Sequence, residues 1–139
     1  MALPVTIKGL DHVVLRVRDT GAMLHFYCDI LGCPVERTLE GIGLYQLRAG
    51  AHMIDFMEVA GELARPDGDV PASAERNMDH LCLRIDDWDE AAIRTHLAAH
   101  GVNAGPTAQR YGAEGSGPSI YIEDPEGNVV ELKGPPEAA

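Results

Sequence analysis

The sequence predicts an α+β fold built from two βαβββ modules whose strands form a curved mixed sheet. Three observations predict it. The run D-H-V-V-L-R-V at 11–17 returns as D-H-L-C-L-R-I at 79–85, with Asp, His, Leu and Arg in the same register. Each copy leads through acidic, turn-forming residues into a segment with helical apolar spacing. Each helix is then followed by short runs in which apolar and polar residues alternate with the period of a strand.

The elements follow in order. The first strand covers 11–17. Asp19 and Thr20 offer an N-cap, and Met23, Phe26, Tyr27, Ile30 and Leu31 recur at helical spacing until Gly32 stops the helix. Strands are expected at roughly 34–39, 43–48 and 52–59. The interval 61–77 holds Gly61, Pro66, Gly68 and Pro71 among charges and reads as a linker. In the second copy Asp86 and Asp87 precede Trp88, Ala92, Ile93 and Leu97, a weaker apolar stripe that Gly101 ends. Strands are expected at roughly 103–109, 118–123 and 128–133. Gly112, Gly115 and Gly117 read as a flexible loop, and 134–139 as a loose tail. The chain, 1–139, is therefore expected to be one domain of module 9–60 and module 78–133.

Size and composition narrow the function. A length of 139 residues with 45% hydrophobic content suits one packed core. No apolar run approaches the roughly twenty residues of a membrane span. The start, M-A-L-P-V-T-I-K-G-L, lacks a basic patch before an apolar stretch, so a cytoplasmic protein is expected. A formal charge of -11 argues against nucleic acid as a partner, because polyanion binding needs a basic surface. Cys28, Cys33 and Cys82 are an odd number without dense spacing, which is no disulfide framework.

Strand parity locates a site. Val13, Leu15 and Val17 fall on one face of the first strand; His12, Val14 and Arg16 fall on the other. In the second copy Leu81, Leu83 and Ile85 oppose His80, Cys82 and Arg84. Ile54 and Phe56 oppose Asp55, Ile120 and Ile122 oppose Ser119 and Tyr121, and Val130 and Leu132 oppose Glu131. One face is thus aliphatic and helix-covered. The other interleaves apolar residues with His, Arg, Asp, Glu and Tyr, which suits a half-buried pocket better than a solvent-washed face. The repeat also matches His12 and Asp55 to His80 and Glu131. Two imidazoles with one or two carboxylates form a recurring divalent-metal set that leaves positions open for substrate. His52 falls on the wrong parity. His25, His96 and His100 lie on expected helices and read as surface residues.

From about Gly9 to Lys133 the pattern resembles the vicinal oxygen chelate superfamily, which includes glyoxalase I, extradiol dioxygenases, fosfomycin-modifying thiol transferases and bleomycin-binding proteins. The most specific segment is S-I-Y-I-E-D-P-E-G-N-V-V-E-L, with Ser119, Tyr121, Asp124, Pro125, Gly127 and Glu131. The resemblance is closest to glyoxalase-domain, lactoylglutathione-lyase-like proteins. It implies a cup-shaped, glyoxalase-like fold with one divalent ion (Ni, Co, Zn, Mn or Fe) on His12, His80 and Glu131. Asp55 stands where glyoxalase I carries a further acid, as a fourth ligand or a general base. Arg16, and Arg84 at the matching spacing from His80, stand where a guanidinium would grip a substrate carboxylate. Tyr121 and Ser119 would meet the substrate.

The chemistry this implies is a glyoxalase-I-like lyase or isomerase acting on a small oxygenated substrate or thiol adduct. Two alternatives resemble the chain less. Extradiol dioxygenases carry a His before the Tyr, where this chain reads R-Y-G-A-E-G-S-G-P; the thiol transferases place a Thr where Val14 stands. A metal-free binding or resistance protein is the non-enzymatic alternative. Relatives with two modules often pair, so a homodimer with a small-molecule substrate is expected.

Overall fold

The computed structural model describes residues 10–59, 78 and 80–137. The interval 61–77 expected to link the modules, and Asp79 of the repeated run, lie outside them. The chain divides into two compact units, Met1–Val70 and Pro71–Ala139.

Unit 1 runs β1 (His12–Val17), α1 (Thr20–Leu24), a π-helical segment (His25–Ile30), β2 (Val35–Leu39), a 3-10 turn (Glu40–Ile42), β3 (Leu44–Ala49) and β4 (His52–Glu58). The strands lie in the order β1-β4-β3-β2, with β1 parallel to β4 and the other pairs antiparallel. The parallel pair exists because α1 and its continuation carry the chain back across the sheet, as any parallel crossover must. Asp19 caps that helix through a 3.0 Å bond from the Ala22 N–H. The helix expected over 20–31 is α-helical only in its first turns; beyond them it widens, and the Leu31 N–H reaches back to the Phe26 carbonyl at 3.0 Å. Gly32, at φ +80, ends it in the left-handed conformation its missing Cβ permits. Met23, Phe26, Tyr27 and Ile30 are buried, and Tyr27 meets Phe56 of β4 edge-on at 5.4 Å.

Unit 2 repeats the plan: β5 (His80–Arg84), α2 (Glu90–Ala99), β6 (Ala108–Gly112), β7 (Gly115–Glu123) and β8 (Val129–Lys133), in the order β5-β8-β7-β6 with β5 parallel to β8. The βαβββ reading therefore holds in both copies. The cap of α2 is Asp89, bonded by the Ala92 N–H at 3.1 Å, and Asp87 in the turn before it takes φ +50. Leu97 is the buried residue of α2, in keeping with its weaker stripe.

Three local expectations are corrected. The strand expected at 103–109 begins at Ala108, because Gly105 and Pro106 interrupt any ladder before it. The glycine segment is no loop: Gly112 pairs with Gly115 across a tight hairpin, and β6 and β7 run through it. A Cβ on Gly117 would stand 2.4 Å from the Pro135 carbonyl oxygen, so this glycine admits a close backbone approach. The tail is not loose up to Glu137. The Gly134 N–H bonds Pro118 O at 2.8 Å, and the Glu137 N–H bonds Ser116 O at 2.9 Å.

Strand parity assigns the faces as expected. Leu15, Ile54, Phe56, Ile120, Ile122, Val130 and Leu132 are buried. Val13, Leu81 and Leu83 are only half-buried. They sit on β1 and β5, each at an edge of its four-stranded sheet among the described residues.

Candidate metal centre

In unit 1 the pairings Val14↔Asp55 and Gln46↔Asp55 put Asp55 on the face that carries His12 and Arg16. Asp55 is 4% exposed. The Gln46 amide donates to its Oδ2 at 3.2 Å, whereas Oδ1 is buried with no hydrogen-bond partner among the described residues. The Nε of Arg16 is in the same condition. His12 heads β1 and is exposed. Its Nδ1 hydrogen donates to the Asp11 carboxylate at 2.7 Å, and this bond, reinforced by the negative charge of Asp55, raises the imidazole above its ordinary pKa. The same bond fixes the neutral tautomer with Nε2 free to ligate, the arrangement by which outer carboxylates orient metal-binding histidines.

In unit 2 Glu131 is the middle residue of β8, opposite Cys82 on one side and Tyr121 on the other. It is 5% exposed, and its Oε1 lies 3.1 Å from Nε2 of His80. The His80 ring meets the Tyr121 ring edge-on at 5.3 Å. Burial, followed by the adjacent Glu131 charge, pushes the Cys82 thiol up to about 11. Cys82 is therefore a protonated thiol at neutral pH.

The register of β7 on β8 depends on the turn between them. Asp124 accepts the backbone N–H groups of Glu126 and Asn128 at 2.8 and 2.9 Å and the Asn128 side-chain amide at 2.7 Å, while Gly127 takes φ +83. The D-P-E-G-N run is thus a structural clamp. Its effect is to hold Tyr121 against Glu131.

The remaining expected residues are placed as follows. Arg84 shares the face of His80, but its guanidinium is bound to Glu114 at 2.7 Å, with Asp86 at 3.6 Å. Ser119 is fully buried and accepts from Arg110 at 2.7 Å. Sequence reasoning missed two residues on these faces, Gln46 and Arg110. Gln46 was recoverable by counting β3 from Leu44. Arg110 was hidden by the reading of its glycine-rich surroundings as a loop.

Each unit thus contributes one histidine and one buried carboxylate on one face. Within the described residues no group of three or more His, Cys, Asp and Glu side chains gathers into a metal-holding cluster. The donor types within each unit, an imidazole nitrogen and a carboxylate oxygen, are ones a divalent ion takes, and in unit 1 the buried Asp55 Oδ1 has no hydrogen-bond partner among the described residues.

Paired βαβββ units with these faces define a vicinal oxygen chelate protein. The chain belongs to the Glyoxalase/Bleomycin resistance protein/Dioxygenase superfamily, whose sequence profile matches residues 9–132. It is similar to the Glyoxalase domain-containing protein RDO1 of Mycosarcoma maydis, at 32% identity over 130 residues, covering 92% of this chain and 69% of that protein. It is 29% identical over 126 residues to the lactoylglutathione lyase of Salmonella typhimurium, covering 88% and 90% of the two chains. Among solved structures it resembles an integron cassette protein of V. cholerae, with a TM-score of 0.72 and 26% identity, over 95% and 98% of the chains. Members of the superfamily are mostly enzymes; they typically use a divalent metal, bind small molecules and often form dimers. Among the described residues no helix is long and apolar enough to cross a membrane.

Proposed function

We propose that this chain is a divalent-metal-dependent enzyme, a glyoxalase-I-like lyase or isomerase acting on a small substrate with two adjacent oxygens or on its thiol adduct. The observation that carries the proposal is the repeated burial of a carboxylate, Asp55 and Glu131, on the same sheet face as a histidine heading the neighbouring parallel strand. A buried carboxylate is costly unless a cation or donors answer it, and one oxygen of Asp55 has no hydrogen-bond partner among the described residues.

His12, His80 and Glu131 would hold the metal, with Asp55 as fourth ligand or general base; nickel, cobalt, zinc, manganese and iron all suit this set. When bound, the ion supplies a Lewis acid for the two adjacent oxygens and the negative charge that develops on them. The chain's own residues do the rest. A carboxylate removes the proton from the carbon beside the carbonyl and returns it to the neighbouring carbon, a redox-neutral shift. Asp55 suits this role because no hydrogen bond competes for its Oδ1. The Tyr121 hydroxyl donates to a substrate oxygen. Arg16, whose buried Nε has no hydrogen-bond partner among the described residues, lines the same face as Asp55 and donates to the substrate there.

Metal analysis after dialysis tests the reading. His12→Ala and His80→Ala are expected to lose the ion, and Glu131→Gln to weaken it less, because the amide keeps the shape and loses the charge. Wild-type metal content in all three variants would replace the enzyme reading with a metal-free binding module.

A further inference from the structure

Two guanidiniums of unit 2 are neutralised by acids: Arg84 by Glu114 at 2.7 Å, and Arg94 by Glu90 at 3.0 Å. Arg110 is not. Among the described residues it touches no carboxylate, in a chain with 22 acidic against 11 basic residues. Its contacts are all neutral. Nη1 donates to Ser119 O at 3.0 Å and to Ser119 Oγ at 2.7 Å, and its Cζ lies 4.1 Å from the centre of the Tyr121 ring.

These contacts place a half-buried cation, with no acid beside it among the described residues, on the functional face. Arg110 pairs with Gly117 across the β6–β7 ladder, so it lies on the same face as Ser119 and Tyr121, and Gly117 adds no side chain to crowd it. Tyr121 in turn touches His80, and His80 lies beside Glu131. The stack on the ring and the two bonds from Nη1 use one face and one nitrogen of the guanidinium. Nε and Nη2 keep N–H groups without a partner among the described residues, and such a fork matches the geometry of a carboxylate or phosphoryl oxyanion.

We propose that Arg110 is the anion-recognising residue of this site, so that the substrate carries an oxyanion beside its two adjacent oxygens. The inference rests on the metal-chelate reading above. It also moves that role from Arg84, whose charge is already met, to a residue the motif alone does not mark.

Hydroxamates of matched chelating power test it by calorimetry on the metal-loaded protein. Acetohydroxamate offers two adjacent oxygens alone; succinate monohydroxamate adds a carboxylate, and phosphonoacetohydroxamate adds a phosphonate. The wild type is expected to bind the anionic probes about tenfold or more tightly than acetohydroxamate, the worth of a charge-assisted bidentate contact. The tighter of the two identifies which oxyanion fits. Arg110→Met should abolish that preference while holding acetohydroxamate within about twofold, Arg110→Lys should keep part of it, and Arg84→Met should keep it nearly whole. A preference that survives in Arg110→Met, or collapses in Arg84→Met, overturns the assignment to Arg110. Failure of all three probes to bind would overturn the metal-chelate reading itself, and the assignment with it.

Discussion

Asp55 and Glu131 occupy equivalent places in their units, yet they meet different surroundings. Glu131 has His80 at 3.1 Å and Tyr121 and Cys82 on either side, whereas among the described residues Asp55 is held by Gln46 through one oxygen. Asp55→Asn therefore separates two roles. As a fourth ligand its loss lowers metal affinity. As the base, the role favoured here, its loss leaves affinity intact and lowers turnover by about two to four orders of magnitude, the usual worth of a general base. Metal titration with rates at saturating metal reads the two apart. Cys82 gives a second test at this scale. A pKa raised to about 11 leaves less thiolate at every pH below it. At pH 8 the ratio of thiolate to thiol falls roughly a hundredfold below that of a thiol of ordinary pKa 9.0. Timed alkylation followed by mass spectrometry should find Cys82 slow at pH 8 and accelerating steadily toward pH 11.

At the scale of elements, the functional faces depend on features that make no contact with a ligand. The Asp124 clamp holds β7 and β8 in the register that sets Tyr121 against Glu131. Asp124→Ala strands two backbone N–H groups and should cost about 1–3 kcal/mol, read by urea unfolding. On the covered side, Phe56 is fully buried against Tyr27. Phe56→Ala should cost about 3–5 kcal/mol through lost burial and the cavity left behind. The two substitutions differ in what they spare: Asp124→Ala should damage the Glu131 side of the chemistry as well as stability, while Phe56→Ala acts through the core of unit 1.

At the scale of the whole molecule, each unit carries a histidine and an acid, and the proposed three-ligand centre needs both. We expect a symmetric homodimer, visible by light scattering at micromolar concentration, in which unit 1 of one chain completes the site with unit 2 of the other. Mixing inactive His12→Ala with inactive His80→Ala after mild unfolding and refolding then has a definite outcome. Half of the dimers are mixed, and each holds one intact site, so about a quarter of wild-type activity should return. No recovery would show that each chain builds its own site.

The sequence by itself determined the repeated βαβββ plan, the faces of the strands and the pairing of His12 with Asp55 and His80 with Glu131. These are properties of period and register: a residue's face follows from counting along a strand, and the return of Asp-His-x-x-Leu-Arg marks the same place in both copies. Tertiary structure alone decided the rest. The hairpin through Gly112 and Gly115 was illegible because glycine marks both loops and close backbone approach, and only the approach of Pro135 to Gly117 distinguishes them. The charge balance of Arg84 and Arg110 was illegible as well. Both stand on the functional face, but long side chains reach partners far along the chain. Glu114 meets Arg84 across an interval of 30 residues, whereas among the described residues Arg110 meets Ser119 and the ring of Tyr121. Which guanidinium remains available to a ligand is set by those distant partners, and local sequence does not encode them.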